Sequence, residues 1–123
     1  MSRTFLLAGA VFGLLAVMLG AFGAHALRDR LTESLLAAFQ TGVQYQFYHA
    51  LGLMLVGMLV HLYPDNALLK WGGYLFIAGV LLFSGSLYLL AITELRFFGP
   101  ITPLGGIAFI GGWLALIVAF ARQ

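Results

Sequence analysis

The chain has 123 residues, 63% of them hydrophobic and only 8% charged, with six basic residues, four acidic ones and no cysteine. A soluble domain carries about 25% charged residues, so this composition excludes one and implies a single domain, residues 1–123, embedded in a bilayer. Scattered basic residues exclude a nucleic-acid face, and the lack of cysteine excludes disulfides, thiolate metal sites and thiol nucleophiles.

The first apolar run covers about residues 5–24 without a charge. That is enough for a helix of about 30 Å, one hydrocarbon thickness. Arg3 before it and Ala24-His25-Ala26 after it imitate a cleavable signal sequence. The apolar core of such a signal runs to about 15 residues, so a retained membrane helix is expected. Gly9, Gly13, Ala16, Gly20 and Gly23 fall three or four apart, a seam of small residues that lets a neighbouring helix approach.

Residues 25–42 form the longest connection, with Arg28, Asp29, Arg30 and Glu33. Thr32 has the chemistry of an N-cap, and Glu33 suits the first turn of a helix. Leu31, Leu35, Ala38, Phe39 and Gly42 repeat at helical spacing. A short amphipathic helix at the interface is predicted over about 32–42, running on into the second span because no proline interrupts it.

The second span is predicted at about 43–63. It opens on Tyr45-Gln46-Phe47-Tyr48-His49-Ala50-Leu51, a polar start to an otherwise oily helix. Polar side chains at this depth need partners. His49 shares its face with Gly42 and Gly52, which points it at another helix. Pro64 ends the helix, and Asp65 or Asn66 caps the next.

The third span is predicted at about 68–92, with Gly72, Gly79, Ser86 and Thr93 seven apart and Phe83-Ser84-Gly85-Ser86-Leu87-Tyr88 as its polar end. The fourth is predicted at about 103–120, with Thr102 as N-cap and Pro103 at the first helical position. Gly105, Ala108, Gly112, Ala115 and Ala119 make a second small seam. Gly13 and Gly112 are expected at helix contacts, and Leu15 and Leu116 against lipid. The halves show no repeat of the inverted-transporter kind.

Four helices joined by short loops alternate in direction. Gln46, His49, Ser84, Ser86, Tyr88 and Thr102 therefore fall toward one side of the membrane, the side on which His25 ends the first helix. His61 stands alone near the other. The leading reading is a hydrogen-bonded layer that locks the helices together. The alternative is a small-molecule or lipid binding or transport site with a polar pocket around His49.

His25 and His49, with Asp29 or Glu33, match no standard ligand spacing, so no metal and no cofactor is expected. All four acidic residues lie in loops or at helix ends, which argues against a proton-coupled exporter. No catalytic residue can be argued from spacing, and a non-enzymatic role is expected. The bilayer is the expected partner, with a second copy or another membrane protein left open. Arg3, Lys70 and Arg122 on the side of the termini balance Arg28, Arg30 and Arg96 on the other. The amino terminus tips this count toward cytoplasmic termini.

Several stretches together resemble one family. They are Gly20-Ala21-Phe22-Gly23-Ala24-His25-Ala26-Leu27, Phe39-Gln40-Thr41-Gly42-Val43 with Tyr45-Gln46 and Tyr48-His49-Ala50-Leu51, Phe83-Ser84-Gly85-Ser86-Leu87-Tyr88, and Ile101-Thr102-Pro103-Leu104-Gly105-Gly106 with Gly112-Trp113. In order and spacing the chain is similar to the family catalogued as domain of unknown function 423. The resemblance implies a small inner-membrane protein with four membrane-spanning helices. It implies no established activity and carries over no catalytic residue. The fold class expected is all-α, an integral membrane four-helix bundle with a short amphipathic helix after the first span.

Overall fold

The computed structural model describes residues 1–122. Its helices are α1 (Ser2–His25), α2 (Glu33–Leu62), α3 (Ala67–Gly79), a π-helical turn (Val80–Ser84), α4 (Gly85–Thr93) and α5 (Ile101–Ala121), with a 3₁₀ turn at Arg96–Phe98. The stretch Ala67–Thr93 acts as one span, so four helical spans are long and apolar enough to cross a membrane. The protein is an all-helical membrane bundle.

Thr32 starts α2, its hydroxyl oxygen accepting from the Leu35 amide at 3.3 Å. Thirty residues then run unbroken, about 45 Å. The amphipathic turns and the second span are thus one rod, because nothing in the sequence stops the helix until Pro64. Tyr63 leaves helical geometry just before that proline. Asn66 restarts the chain, its side-chain oxygen accepting from the amides of Leu68 and Leu69 at 3.1 and 3.3 Å.

The third span carries the irregularity. Between Val80 and Ser84 the helix widens into a π turn, a feature that composition did not announce. It ends at Glu94, which takes the left-handed conformation at φ 59° where glycine is usual.

The start of α5 differs from expectation. The helix begins at Ile101, with Pro100 at the cap position, and Thr102 does not cap it. Pro103 sits inside the first turn, where amide hydrogens have no acceptor in the helix and a missing one costs nothing. This frees the Thr102 hydroxyl to bond elsewhere.

Packing pairs α1 with α2 and α3 with α5, while α2 also meets α3, the π turn and α4. Phe5, Leu53, Phe76, Phe109 and Leu116 belong to the main apolar core. A smaller cluster of Leu27, Phe39 and Ala91 closes the other end. Leu116, expected against lipid, is only 2% exposed and fills that core, whereas Leu15 is 41% exposed. The small seam of α5 is narrower than the sequence suggested, and Leu116 packs beside it against Gly72.

The glycines divide by contact. A side chain at Gly9 would meet the Ala50 carbonyl at 2.8 Å, and one at Gly105 would meet Phe83 Cα at 2.7 Å. At Gly112 it would strike the Phe76 ring at 2.6 Å. Gly20 has Val43 at 3.4 Å and Gly13 only Ala50 at 3.9 Å, both ordinary contacts.

Candidate functional site

His49 lies mid-way along α2 and is 5% exposed. Its Nε2 accepts a hydrogen bond from Trp113 Nε1 on α5 at 3.0 Å. An indole N–H can only donate, so Nε2 carries no proton. The proton is then on Nδ1, which donates to the Tyr45 carbonyl one turn back at 2.7 Å. The imidazole is neutral and its tautomer is set by these two bonds. Phe109 stacks on the ring with centroids 3.7 Å apart and planes within 9°. Phe76 meets it edge-on at 5.1 Å, and Trp113 covers Phe76 at 4.8 Å.

Gln46, one turn away, is 3% exposed. Its Nε2 donates to the Phe12 carbonyl of α1 at 2.8 Å. Its Oε1 accepts from the Tyr88 hydroxyl of α4 at 2.6 Å. One side chain therefore ties three helices together.

The serines serve the π turn. Ser84 Oγ donates to the Gly42 carbonyl of α2 at 2.6 Å, across a contact where only glycine leaves room for Tyr88 and Leu87. Ser86 Oγ donates to the Phe83 carbonyl at 2.9 Å. A hydroxyl has one hydrogen, so Thr102 Oγ1 is the donor in the 2.5 Å bond between Thr102 and Ser86. That bond joins the start of α5 to the third span.

The expected polar residues thus pair as Phe12–Gln46–Tyr88, Tyr45–His49–Trp113, Gly42–Ser84 and Phe83–Ser86–Thr102. The partner anticipated for His49 is corrected. His49 pairs with a tryptophan, and with neither glutamine nor serine. His25 is exposed at the end of α1 and enters none of these bonds. Among the described residues, no cluster of three or more His, Cys, Asp or Glu side chains could hold a metal ion. Every buried side-chain nitrogen and oxygen among them has a partner.

Sequence reasoning missed Trp113, Phe109 and the Phe12 carbonyl. Trp113 and Phe109 are four residues apart, hence on one face of α5, and an indole N–H within a bilayer needs an acceptor even on a side chain that is 42% exposed. Those two facts together would have nominated His49 as that acceptor.

A family model described as protein of unknown function (DUF423) matches residues 19–106. That stretch includes every expected polar residue from His25 to Thr102, while Trp113 lies beyond it. Over 120 residues the chain is 47% identical to the UPF0382 membrane protein YwdK of Bacillus subtilis (strain 168), covering 98% of each chain. It is 43% identical over 117 residues to a UPF0382 membrane protein of Staphylococcus epidermidis, covering 95% of this chain and 94% of that one. A relative from Staphylococcus aureus (strain USA300) is 40% identical over the same length. No solved structure matches the chain. With a family match across most of its length and relatives that align nearly end to end, the chain belongs to the DUF423 family and is a multi-pass membrane protein.

Proposed function

We propose that this chain is a non-enzymatic structural protein of a bacterial plasma membrane, its polar side chains serving to hold four helices in one arrangement. The supporting observation is closure: among the described residues, the buried polar side-chain atoms all bond within the chain. Both nitrogens of His49 are used, and Phe109 lies flat on its ring. A ligand at His49 would have to displace Trp113 or Tyr45, which no free polar group compensates.

Cavities of 330, 280, 240, 410 and 330 Å³ lie elsewhere. One is a groove between α1 and α2, and the others sit toward the Pro64 end. His49, Gln46, Ser84 and Ser86 line none of these. The bilayer, on this reading the inner membrane, is then the medium in which the bundle acts.

The test is heating the purified protein with a broad panel of lipids, quinones and divalent metals. A true ligand at a hundredfold excess over its dissociation constant stabilises by about 2.7 kcal/mol. A flat response is expected. A shift that His49→Leu abolishes would overturn the structural reading in favour of a pocket.

A further inference from the structure

Between the third span and α5 the chain turns apolar side chains outward where a connection is ordinarily polar. At 73%, Phe97 is the most exposed large apolar side chain among the described residues. Leu95 is exposed too, and Arg96 stands between them. The connection from α1 to α2, at the same end of the bundle, presents Arg28, Asp29 and Arg30 instead.

The length of α5 sets the depth of this turn. Its 21 residues span about 31 Å, close to a hydrocarbon thickness of about 30 Å. With Arg122 at one edge of that layer, Ile101 reaches the other, and the Arg96–Phe98 turn lies just beyond it among the headgroups. The backbone there is largely bonded to itself. The amides of Glu94, Phe98, Gly99 and Thr102 donate to carbonyls three or four residues back, and that of Leu95 donates to the Thr93 hydroxyl. Pro100 and Pro103 have no amide hydrogen. Most donors of the segment therefore need no water, which suits a water-poor boundary.

We propose that residues 95–98 anchor the bundle to the lipid surface, the Phe97 ring and the Leu95 side chain entering the boundary between headgroups and acyl chains while the Arg96 guanidinium stays level with the phosphates. Position and continuity select this occupant. The turn hangs between two spans of its own chain, so it meets the leaflet wherever the bundle is inserted. Its apolar side chains continue the outward-facing strip formed by exposed Ile92 on the third span and exposed Leu104 on α5. An arginine among such neighbours suits this level, because its stem packs against apolar surface while its charge stays in water. The contact is with the leaflet surface and requires no lipid held at a site. It goes beyond the internal bonds of the structural reading and stands without them.

The chain has no cysteine, so a single introduced cysteine carries a spin label cleanly. The full chain is placed in vesicles of phosphatidylethanolamine and phosphatidylglycerol. Collisions of the label are then measured with oxygen, which concentrates in lipid, and with a neutral nickel chelate, which stays in water on both sides. Leu95→Cys and Phe97→Cys report on the turn, Ile92→Cys on a lipid-facing position and Asp29→Cys on the polar connection at the same end. Both turn labels should favour oxygen over nickel, as Ile92→Cys does, and Asp29→Cys should favour nickel. Adding Phe97→Asp to Leu95→Cys should drop the oxygen-to-nickel ratio to that of Asp29→Cys. The unfolding temperature in detergent should stay at that of the parent, because the Phe97 side chain is exposed. Turn labels that favour nickel in the unmodified turn place it in water and overturn the proposal. Labels shielded from both reagents overturn it in favour of a protein or a second copy covering the turn. A Leu95→Cys ratio that Phe97→Asp leaves unchanged overturns it as well, because the ring would then anchor nothing.

Discussion

Trp113 of α5 donates its indole N–H to His49 Nε2 of α2 at 3.0 Å, and together with the Tyr45 carbonyl at Nδ1 this bond sets where the imidazole proton sits. The two helices approach each other here through side chains, with Phe109 and Phe76 filling the space around the ring. Loss of His49 leaves the indole N–H without an acceptor in a water-free setting. His49→Leu is expected to cost about 1–3 kcal/mol. Combining it with Trp113→Phe should cost less than the sum of the two single changes, because the pair loses donor and acceptor together. His61→Leu should be close to neutral, since His61 is exposed near the end of α2. Chemical unfolding of the four variants and the parent in one detergent measures the cycle. Strict additivity would show that the bond carries no energy.

Gln46 offers a sharper contrast. Tyr88→Phe removes one hydroxyl and leaves Gln46 Oε1 unpaired, at about 1–3 kcal/mol. Gln46→Leu removes both bonds and also leaves the Tyr88 hydroxyl stranded, although the Phe12 carbonyl keeps its place in the α1 ladder. The glutamine variant should therefore be at least as damaging as the tyrosine variant. The α1–α2 contact should loosen with it, read as faster proteolysis or amide exchange around Phe12. Undisturbed exchange at Phe12 in Gln46→Leu would refute the bridging role.

The sequence announced the helices and their order, because long uncharged runs leave little choice in a bilayer. It also announced that His49 turns inward, since Gly42 and Gly52 share its face at helical spacing. It did not announce partners. Gln46 bonds a backbone carbonyl of α1, and every residue owns a carbonyl, so composition cannot single out Phe12. The π turn was hidden for a similar reason: Val80-Leu81-Leu82-Phe83 reads as ordinary apolar helix. Thr102-Pro103 misled because the same dipeptide serves equally well inside a first turn. Leu116 misled because a small seam marks where backbones approach without fixing how far the buried stripe extends.

The glycines yield a ranked prediction from distances alone. A methyl group at Gly105 would meet the backbone of Phe83, and backbone inside a packed π turn cannot retreat. Gly105→Ala should cost about 1–3 kcal/mol or more as overpacking. Gly13→Ala should be neutral or slightly stabilising, because its methyl would rest 3.9 Å from Ala50 and alanine is the better helix former. Gly85→Ala, with nothing within 4 Å, should behave like Gly13→Ala. Melting temperatures of the three variants in one detergent decide the order. A Gly13→Ala chain as damaged as Gly105→Ala would mean that α1 and α2 pack more tightly than described.

Membrane orientation rests on a narrow balance. Tyr74 donates to Met1 Sδ at 2.9 Å, so the starts of α1 and α3 share one end of the bundle, with Arg3 and Lys70 beside them. Leu27 and Ala91 share the small cluster at the other end, near Arg28, Arg30 and Arg96. Arg122 follows α5 back to the first end, so three basic side chains face three. Basic residues near span ends are held on the cytoplasmic side, and a tie makes the outcome sensitive to single charges. With termini in the cytoplasm as proposed, a C-terminal reporter active only outside the cytoplasm should be silent in the parent chain. Arg28→Ala with Arg30→Ala should keep it silent, because the balance then favours the termini by three to one. Arg3→Ala with Arg122→Ala should reverse the balance to one against three and switch the reporter on in part of the population. A reporter already active in the parent chain would place the termini outside. A silent reporter in all three chains would mean that packing, such as the Gln46 bridge, fixes the orientation before charge can.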